Sequence, residues 1–230
     1  MKTLGLIGGI SWVSTIDYYR YINRGVNEKL GGINSAQLVM HSFNYNDIII
    51  NNNANNWDAT LQMLTEAGIN LKNSGAEAIL FCANTMHLLA DKAQEKIGLP
   101  LIHIAVTTAA EINKSGFTKV GLLGTKFTME HDFFTNKLTD AGIEAIIPDE
   151  ADRAYIHQTL MDELGKNIIL PQTRQYYLHV MDKLVAQGAQ GIILGCTEIP
   201  LLISSADTDI PLFDTTLIHS QAAVAFALGE

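Results

Sequence analysis

Gly188-Ala189-Gln190-Gly191-Ile192-Ile193-Leu194-Gly195-Cys196-Thr197-Glu198 has an earlier counterpart in Gly75-Ala76-Glu77-Ala78-Ile79-Leu80-Phe81-Cys82-Ala83-Asn84-Thr85. With Gly75-Ala76 set over Gly188-Ala189, a shift of 113, Leu88-Leu89 falls on Leu201-Leu202 and Asn84-Thr85 on Thr197-Glu198. Cys82 falls on Gly195, and Ala83 on Cys196. The likeness extends outward. Lys2-Thr3-Leu4-Gly5-Leu6-Ile7-Gly8 resembles Lys119-Val120-Gly121-Leu122-Leu123-Gly124, and Pro100-Leu101 resembles Pro211-Leu212. Each copy carries a threonine a few residues on (Thr15; Thr128) and then an aromatic pair (Tyr18-Tyr19; Phe133-Phe134). Shifts between 111 and 116 mark duplication of a whole half, not a short solenoid period.

Short β-branched runs alternate with amphipathic stretches. Strands are expected at Thr3–Ile7, Ser35–His41, Ala78–Cys82, Leu101–Ile104, Lys119–Leu123, Ala145–Ile147, Gly191–Leu194 and Pro211–Asp214. Helical spacing appears in Ser14–Lys29 (Ile16, Tyr19, Ile22, Val26), Trp57–Ser74 (Leu61, Leu64, Gly68, Leu71) and Thr173–Gln187 (Tyr177, Val180, Met181, Leu184). Such alternation predicts an α/β fold with parallel sheets. With the repeat, it predicts two similar Rossmann-like halves related by a pseudo-two-fold axis, with the active site in the cleft between them. The expected division is 1–104 plus 211–230 against 105–210. The asparagine-rich stretch Asn44 to Asn56 reads as a polar surface loop entering a helix capped near Asn56, or as a ligand-contact loop.

A chain of 230 residues with 47% hydrophobic and 17% charged residues has the profile of a soluble globule with a proper core. Its net charge of −9 argues against nucleic acid or an anionic membrane as partner. No window approaches the length of a transmembrane helix. Two cysteines make no disulfide framework, so a cytoplasmic setting with both thiols reduced is expected.

Cys196 follows four apolar or small residues and a glycine, so it belongs at the C-terminal end of a buried strand, where ligands of open α/β sheets bind. A helix start just beyond it would favour the thiolate. The alternative is a buried structural cysteine. Cys82 stands one residue out of step with Cys196, and successive strand side chains point to opposite faces. Packing is therefore its default role, unless the strand end bends and brings it round. Asn84-Thr85 and Thr197-Glu198 offer groups to hold a carboxylate, or simple N-capping by Thr85 and Thr197. Gly8-Gly9-Ile10-Ser11-Trp12 lacks the G-x-G-x-x-G spacing and the P-loop lysine, yet lets backbone approach a small ligand. His87, His103 and His219 fit no close metal-ligand spacing and read as packing or capping residues.

Gly8-Gly9-x-Ser11-Trp12, Asn84-Thr85-Met86-His87 and Gly195-Cys196-Thr197-Glu198 together resemble the aspartate/glutamate racemase family over nearly the whole chain. The resemblance implies the two-half α/β fold, a homodimer, and racemisation of a small amino acid without pyridoxal phosphate or metal. In two-cysteine members one thiolate removes the Cα proton and a thiol on the opposite face returns one. The family's first cysteine directly precedes Asn-Thr, and here that place is Ala83. Relatives lacking that thiol include the arylmalonate decarboxylases, where one cysteine delivers a proton to one face. Carried over by motif, Cys196 is the acid/base, with Cys82 as a candidate partner. Ile10, Ser11, Asn52, Ala83, Asn84, Thr85, Thr197 and Glu198 are implied substrate contacts. Lys166, just past the helical stretch Ala154–Leu164, is implied to reach a second carboxylate. Three functions stay open: amino-acid racemase, single-thiol decarboxylase or isomerase of a dicarboxylic acid, and a non-catalytic amino-acid binder.

Overall fold

The computed structural model describes residues 1–230. The chain forms two compact units, residues 1–103 with 219–230, and residues 104–218. In the first unit lie β1 (Leu4–Gly8), α1 (Trp12–Leu30), β2 (Leu38–Ser42), α2 (Tyr45–Asn53), α3 (Trp57–Asn73), β3 (Ala78–Phe81) and α4 (Ala90–Ile97). The second holds α5 (Ile104–Lys114), β4 (Lys119–Gly124), α6 (Lys126–Glu130), α7 (Asp132–Asp140), β5 (Glu144–Ile146), α8 (Glu150–Asp162), α9 (Pro171–Ala186), β6 (Ile192–Gly195), α10 (Ile199–Leu202) and β7 (Leu212–Asp214). The last helix, α11 (Thr215–Leu228), starts in the second unit and ends in the first. No helix is long and apolar enough to cross a membrane.

Both sheets are parallel, in the orders β2-β1-β3 and β5-β4-β6-β7. Their registers reproduce the sequence repeat. Gly5 lies opposite Ile79 in one sheet, and Gly121 opposite Ile192 in the other. The Ile79 N–H donates to Pro100 O at 2.9 Å, and the Ile192 N–H to Pro211 O at 2.8 Å. The Gly8 and Gly124 positions are matched too. A Cβ on Gly8 would lie 2.5 Å from Thr15 Cγ2, and one on Gly124 3.0 Å from Thr128 Cβ. The threonine that follows each first strand therefore packs against the glycine that ends it.

Strand alternation separates the first unit's core into two clusters. Ile7, Ile79, Phe81 and Ala83 pack on the α3 and α4 side with Leu64, Leu71 and Ile97. Leu4, Leu6, Leu80 and Cys82 pack with Tyr18, Ile22 and Val26 of α1 and Val224 of α11. The second unit has one cluster, in which Leu122, Leu123, Ile192 and Leu194 meet Tyr177, Val180, Met181 and Leu184 of α9.

Four expectations need correction. Residues 211–218 belong to the second unit, because β7 pairs with β6 from Ile192 opposite Leu212 to Leu194 opposite Asp214. Leu101–Ile104 makes only a single bridge, Leu101 to Ile79, because the chain turns into α5 at Ile104. The asparagine-rich stretch contains helix α2, started by Asn44 Oδ1 accepting from the Asn46 N–H, although Asn56 does cap α3. On α1 the buried line is Tyr18, Ile22 and Val26, a strict i+4 ladder, while Ile16 and Tyr19 are exposed.

Candidate active site

In the first unit the candidate residues gather where parallel strands end. The β1–β3 pairing continues to the Cys82 N–H, which donates to Ile7 O at 2.9 Å, so Ala83 follows directly at the sheet edge. Gly9 makes the turn out of β1 at φ +79°, and a Cβ there would lie 2.2 Å from Phe43 O. No other residue fits this turn without moving the chain after β2. Ile10 is buried in the cluster that also holds Ala83.

Ser11 is held at φ 76° and ψ 106°, a conformation L residues rarely adopt and one that costs of order 1–3 kcal/mol. The following threonine fixes it. Thr15 Oγ1 donates to Ser11 O at 2.8 Å and accepts from the Gly9 N–H at 3.0 Å. Ser14 Oγ donates to the same Ser11 carbonyl at 3.2 Å. The strained position turns the Ser11 hydroxyl away from capping: α1 has no side-chain cap, no acid in its first turn, and a buried Ser11 Oγ without a partner. A 19-residue helix thus starts with free N–H donors beside an unsatisfied hydroxyl, an arrangement that suits a carboxylate.

Asn84 and Thr85 open a short 3-10 helix, Thr85–Leu89, with Asn84 at the cap position and no side-chain cap hydrogen bond from it. His87 fixes this turn from beneath, its Nδ1 lying 2.9 Å from Ala83 O and 3.2 Å from Asn84 O. Asn52, on α2, accepts from Thr60 Oγ1 at 3.0 Å and so joins α2 to the start of α3. Cys82 is wholly buried among the apolar side chains of α1 and α11, and burial pushes its thiol well above the ordinary range. Its surroundings match the packing role.

The three histidines expected to pack do so, and they pack together. The His87 ring lies 4.8 Å from His103 and 5.5 Å from His219, centre to centre. His219 Nε2 lies 2.7 Å from Ile102 O, so it carries the proton, and Nδ1 then accepts from Tyr18 Oη at 2.8 Å. Burial holds His219 down at about 4 and His87 well below the usual imidazole range. No group of three or more His, Cys, Asp or Glu is placed to hold a metal ion.

In the second unit Cys196 leaves the end of β6, half-buried. Gly195 before it is required: a Cβ there would lie 2.6 Å from Leu123 O and 2.8 Å from Leu122 Cδ1. Cys196 Sγ donates to Glu198 Oε2 at 2.9 Å, and Thr197 Oγ1 donates to the same oxygen at 3.0 Å. Both Thr197 and Glu198 are buried. The expected thiolate is not favoured. Burial raises the Cys196 thiol well above its ordinary range, and the negative charge of Glu198 raises it further. The helix meant to offset this, α10, has four residues, too few for an appreciable dipole, and Thr197 spends its hydroxyl on Glu198 instead of a cap. Lys166 sits in a 3-10 turn, Leu164–Lys166, that packs on α10, and its exposed amine lies 3.5 Å from Asp162.

The same strand-end rule, extended to β4 and β7, picks out residues the sequence reading passed over. Thr125 follows β4 and caps α6 by accepting from the Thr128 N–H. Thr215 follows β7 and donates to Leu194 O at 2.8 Å, two residues before Cys196. Asp214 accepts from the N–H groups of Thr216 and Leu217 at the start of α11.

Residues 7–223 match the family described as Asp/Glu/Hydantoin racemase. A candidate Asp/Glu racemase from Yersinia pestis, known from its crystal structure, is 48% identical and superposes with a TM-score of 0.93, over 99% of this chain and 100% of its own. An aspartate racemase homologue from Pyrococcus horikoshii OT3 is 32% identical, with a TM-score of 0.87 over 99% of this chain and 100% of its own. The broad specificity amino-acid racemase RacX of Bacillus subtilis is 23% identical over 175 residues, 75% of this chain and 74% of its own.

Proposed function

The chain belongs to the Asp/Glu/Hydantoin racemase family, and from that premise we propose that it is an amino-acid racemase in which the Cys196 thiol carries the Cα proton on one face of the substrate. The observation that carries this reading is the half-buried thiol at the end of β6, hydrogen-bonded to a buried carboxylate. Thiols and carboxylates in such contact move protons, and general acid–base catalysis of this kind contributes about 10²–10⁴-fold.

Removing a Cα proton places negative charge on the substrate carboxylate. The free N–H groups at the start of α1, with Ser11 Oγ, supply donors for that charge, and Asn84 and Thr85 are proposed to extend them. Small acidic amino acids, aspartate and glutamate first, are the proposed substrates. Ile10, Thr197 and Glu198 are proposed to border the substrate. Lys166 is proposed to meet a side-chain carboxylate, and Asn52 to support α2. Cys82 is given no chemical role, because its thiol lies in the apolar core.

With Ala83 at the family's first cysteine position, the second face takes its proton from water or a hydroxyl group. The two faces are then served unequally. One enantiomer exchanges its Cα hydrogen with solvent faster than it inverts. The reading is tested by incubating the protein with single L- and D-amino acids and following the product by chiral chromatography. Inversion of aspartate, glutamate or another small amino acid supports it, and no inversion of any amino acid removes it. Ala83→Cys is expected to raise the inversion rate at least tenfold, and no change would count against unequal faces. A homodimer in the cytoplasm is part of the same proposal; sedimentation velocity at micromolar protein reads the first.

A further inference from the structure

The first sheet has one covered edge and one open edge. Beyond β3, the Ile79 N–H donates to Pro100 O at 2.9 Å and Ile79 O accepts from the Ile102 N–H at 3.0 Å, so the 100–102 segment covers that side. β2 is open. The Leu4 N–H donates to Gln37 O and the Phe43 N–H to Gly8 O, so the odd-numbered residues of this stretch bond to β1. In a parallel ladder the alternate residues then turn both backbone groups outward. Leu38, Met40 and Ser42 thus present three N–H and three C=O groups that nothing in the chain meets. Exposed edges are ordinarily blunted by brevity, charge or proline. In the second sheet the edge strands β5 and β7 have three residues each and carry Glu144 and Asp214. β2 has five residues, Leu38-Val39-Met40-His41-Ser42, with no proline, lysine, arginine, aspartate or glutamate.

The helix beside this edge is apolar on the matching flank. α1 turns its Tyr18, Ile22 and Val26 line to the core. On one side of that line Gly25 meets α11, where a Cβ would lie 2.9 Å from Val224 Cγ2. On the other side Asn23 Oδ1 accepts from the Ala36 N–H at 3.1 Å, and Asn27 Nδ2 donates to Gly32 O and Asn34 O at 2.9 Å. This flank therefore faces the 31–37 connection into β2. At about 100° per residue, Trp12, Ile16, Tyr19 and Leu30 lie on the same flank as Asn23 and Asn27. All four are exposed, as are Ile33 in the connection and Met40 on β2. Their exposed surface is of order 700 Å², above the roughly 300–600 Å² of the largest apolar patch on an ordinary monomer and near the ~800 Å² that each partner gives to a standard interface.

We propose that a second copy of the chain docks on this edge, with β2 pairing antiparallel to β2 about a two-fold axis through Met40. The inference supplies the interface of the homodimer proposed above and rests on that reading. A second copy is the occupant because the edge complements itself. With Met40 opposite Met40 of the partner subunit, Leu38 falls opposite Ser42 of the partner subunit, and each outward N–H finds an outward C=O. No like charges meet along the strand. A two-fold axis normal to the sheet keeps both α1 helices on one face. Each lies over its own β1–β2 pair, as a right-handed crossover between neighbouring strands does. Strands ~4.8 Å apart then put the two helices about 10 Å apart, the distance of packed helices. Their apolar flanks meet, and the two sheets become one of six strands.

Sedimentation velocity and amide hydrogen exchange, read residue by residue by NMR, test this on the full chain. The parent protein should be a dimer at micromolar concentration, with the Leu38, Met40 and Ser42 amides as protected as those of Val39 and His41. Met40→Lys sets two ammonium groups against each other at the axis and should raise the dimer dissociation constant at least 100-fold. Ser42 exchange should then rise at least tenfold while the Val39 amide, bonded to β1, stays protected. Tyr19→Glu, on the exposed helix flank, should dissociate the dimer as well, and it decides the matter if Met40→Lys does not fold. A parent dimer whose Met40 and Ser42 amides exchange as freely as exposed ones, or a dimer that either folded variant leaves intact, overturns this interface while the homodimer reading stands. A monomeric parent overturns both and leaves racemisation to the inversion assay.

Discussion

Cys196 and Cys82 differ in what surrounds the sulfur. Cys196 has a carboxylate oxygen at 2.9 Å, while Cys82 lies in an apolar cluster with Leu4, Leu6 and Leu80 of the sheet and residues of α1 and α11. Cys196→Ser should lower Cα–H exchange by about 10²–10⁴-fold, the scale of a lost acid/base group. Cys82→Ala should cost about 1 kcal/mol of stability in urea unfolding and leave exchange within twofold. Exchange lost with Cys82 would give that thiol a chemical role and contradict the present assignment. Ser11 poses a different trade. Its backbone strain is relieved by glycine, so Ser11→Gly should raise stability by about 1 kcal/mol. The same change removes the unpartnered hydroxyl, so KM should rise at least several-fold, as initial-rate measurements would show. A Ser11→Gly protein with unchanged KM would exclude that hydroxyl from substrate binding.

The elements explain what the sequence could and could not disclose. The turn after β6 is tight because Leu123 O and Leu122 Cδ1 close over Gly195. Gly195→Ala should destabilise the second unit by about 1–3 kcal/mol, as overpacking generally does, visible as a lower urea midpoint. The two sheets were legible because β3 and β6 are unbroken apolar runs with polar residues at once beyond them. The duplication placed both runs in matching registers. The helix α2 was not legible, since it is rich in asparagine, a residue that favours turns, and buries only Ile48. The buried face of α1 was misread because Ile16 and Tyr19 have helical spacing with Ile22, yet tertiary packing chose Tyr18. At the candidate site, motif and position singled out Cys196. Its contact with Glu198 was hidden, because residues two apart in a strand would share a face without meeting. Only the turn after Gly195 brings the two together. The preference for thiol over thiolate was equally hidden, since it depends on burial and on how short α10 proves to be.

At the scale of the molecule, each unit has its own core, and the first unit is bound by the Tyr18–His219–Ile102 chain of hydrogen bonds. His219 begins the chain's return to this unit, so its hydrogen bonds fix where α11 docks. Its folded-state value of about 4 lies below the ordinary 6.5, so the unfolded chain binds the extra proton first. The stabilisation is complete above about pH 6.5 and is lost as pH falls through about 4, an effect of order 3 kcal/mol. Burial shifts His87 in the same direction. Urea midpoints between pH 7 and pH 4 should fall accordingly, and His219→Asn should flatten the slope although it lowers stability at pH 7. An unaltered slope would mean that other groups set the acid sensitivity. The central claim, that one thiol serves one face of an amino acid, is tested most directly by proton NMR in D2O on single enantiomers of aspartate and glutamate, with Cys196→Ser as control. The account predicts loss of the Cα–H signal that outpaces inversion for one enantiomer and disappears in Cys196→Ser. Equal rates of exchange and inversion from both enantiomers, or exchange that survives in Cys196→Ser, would contradict it.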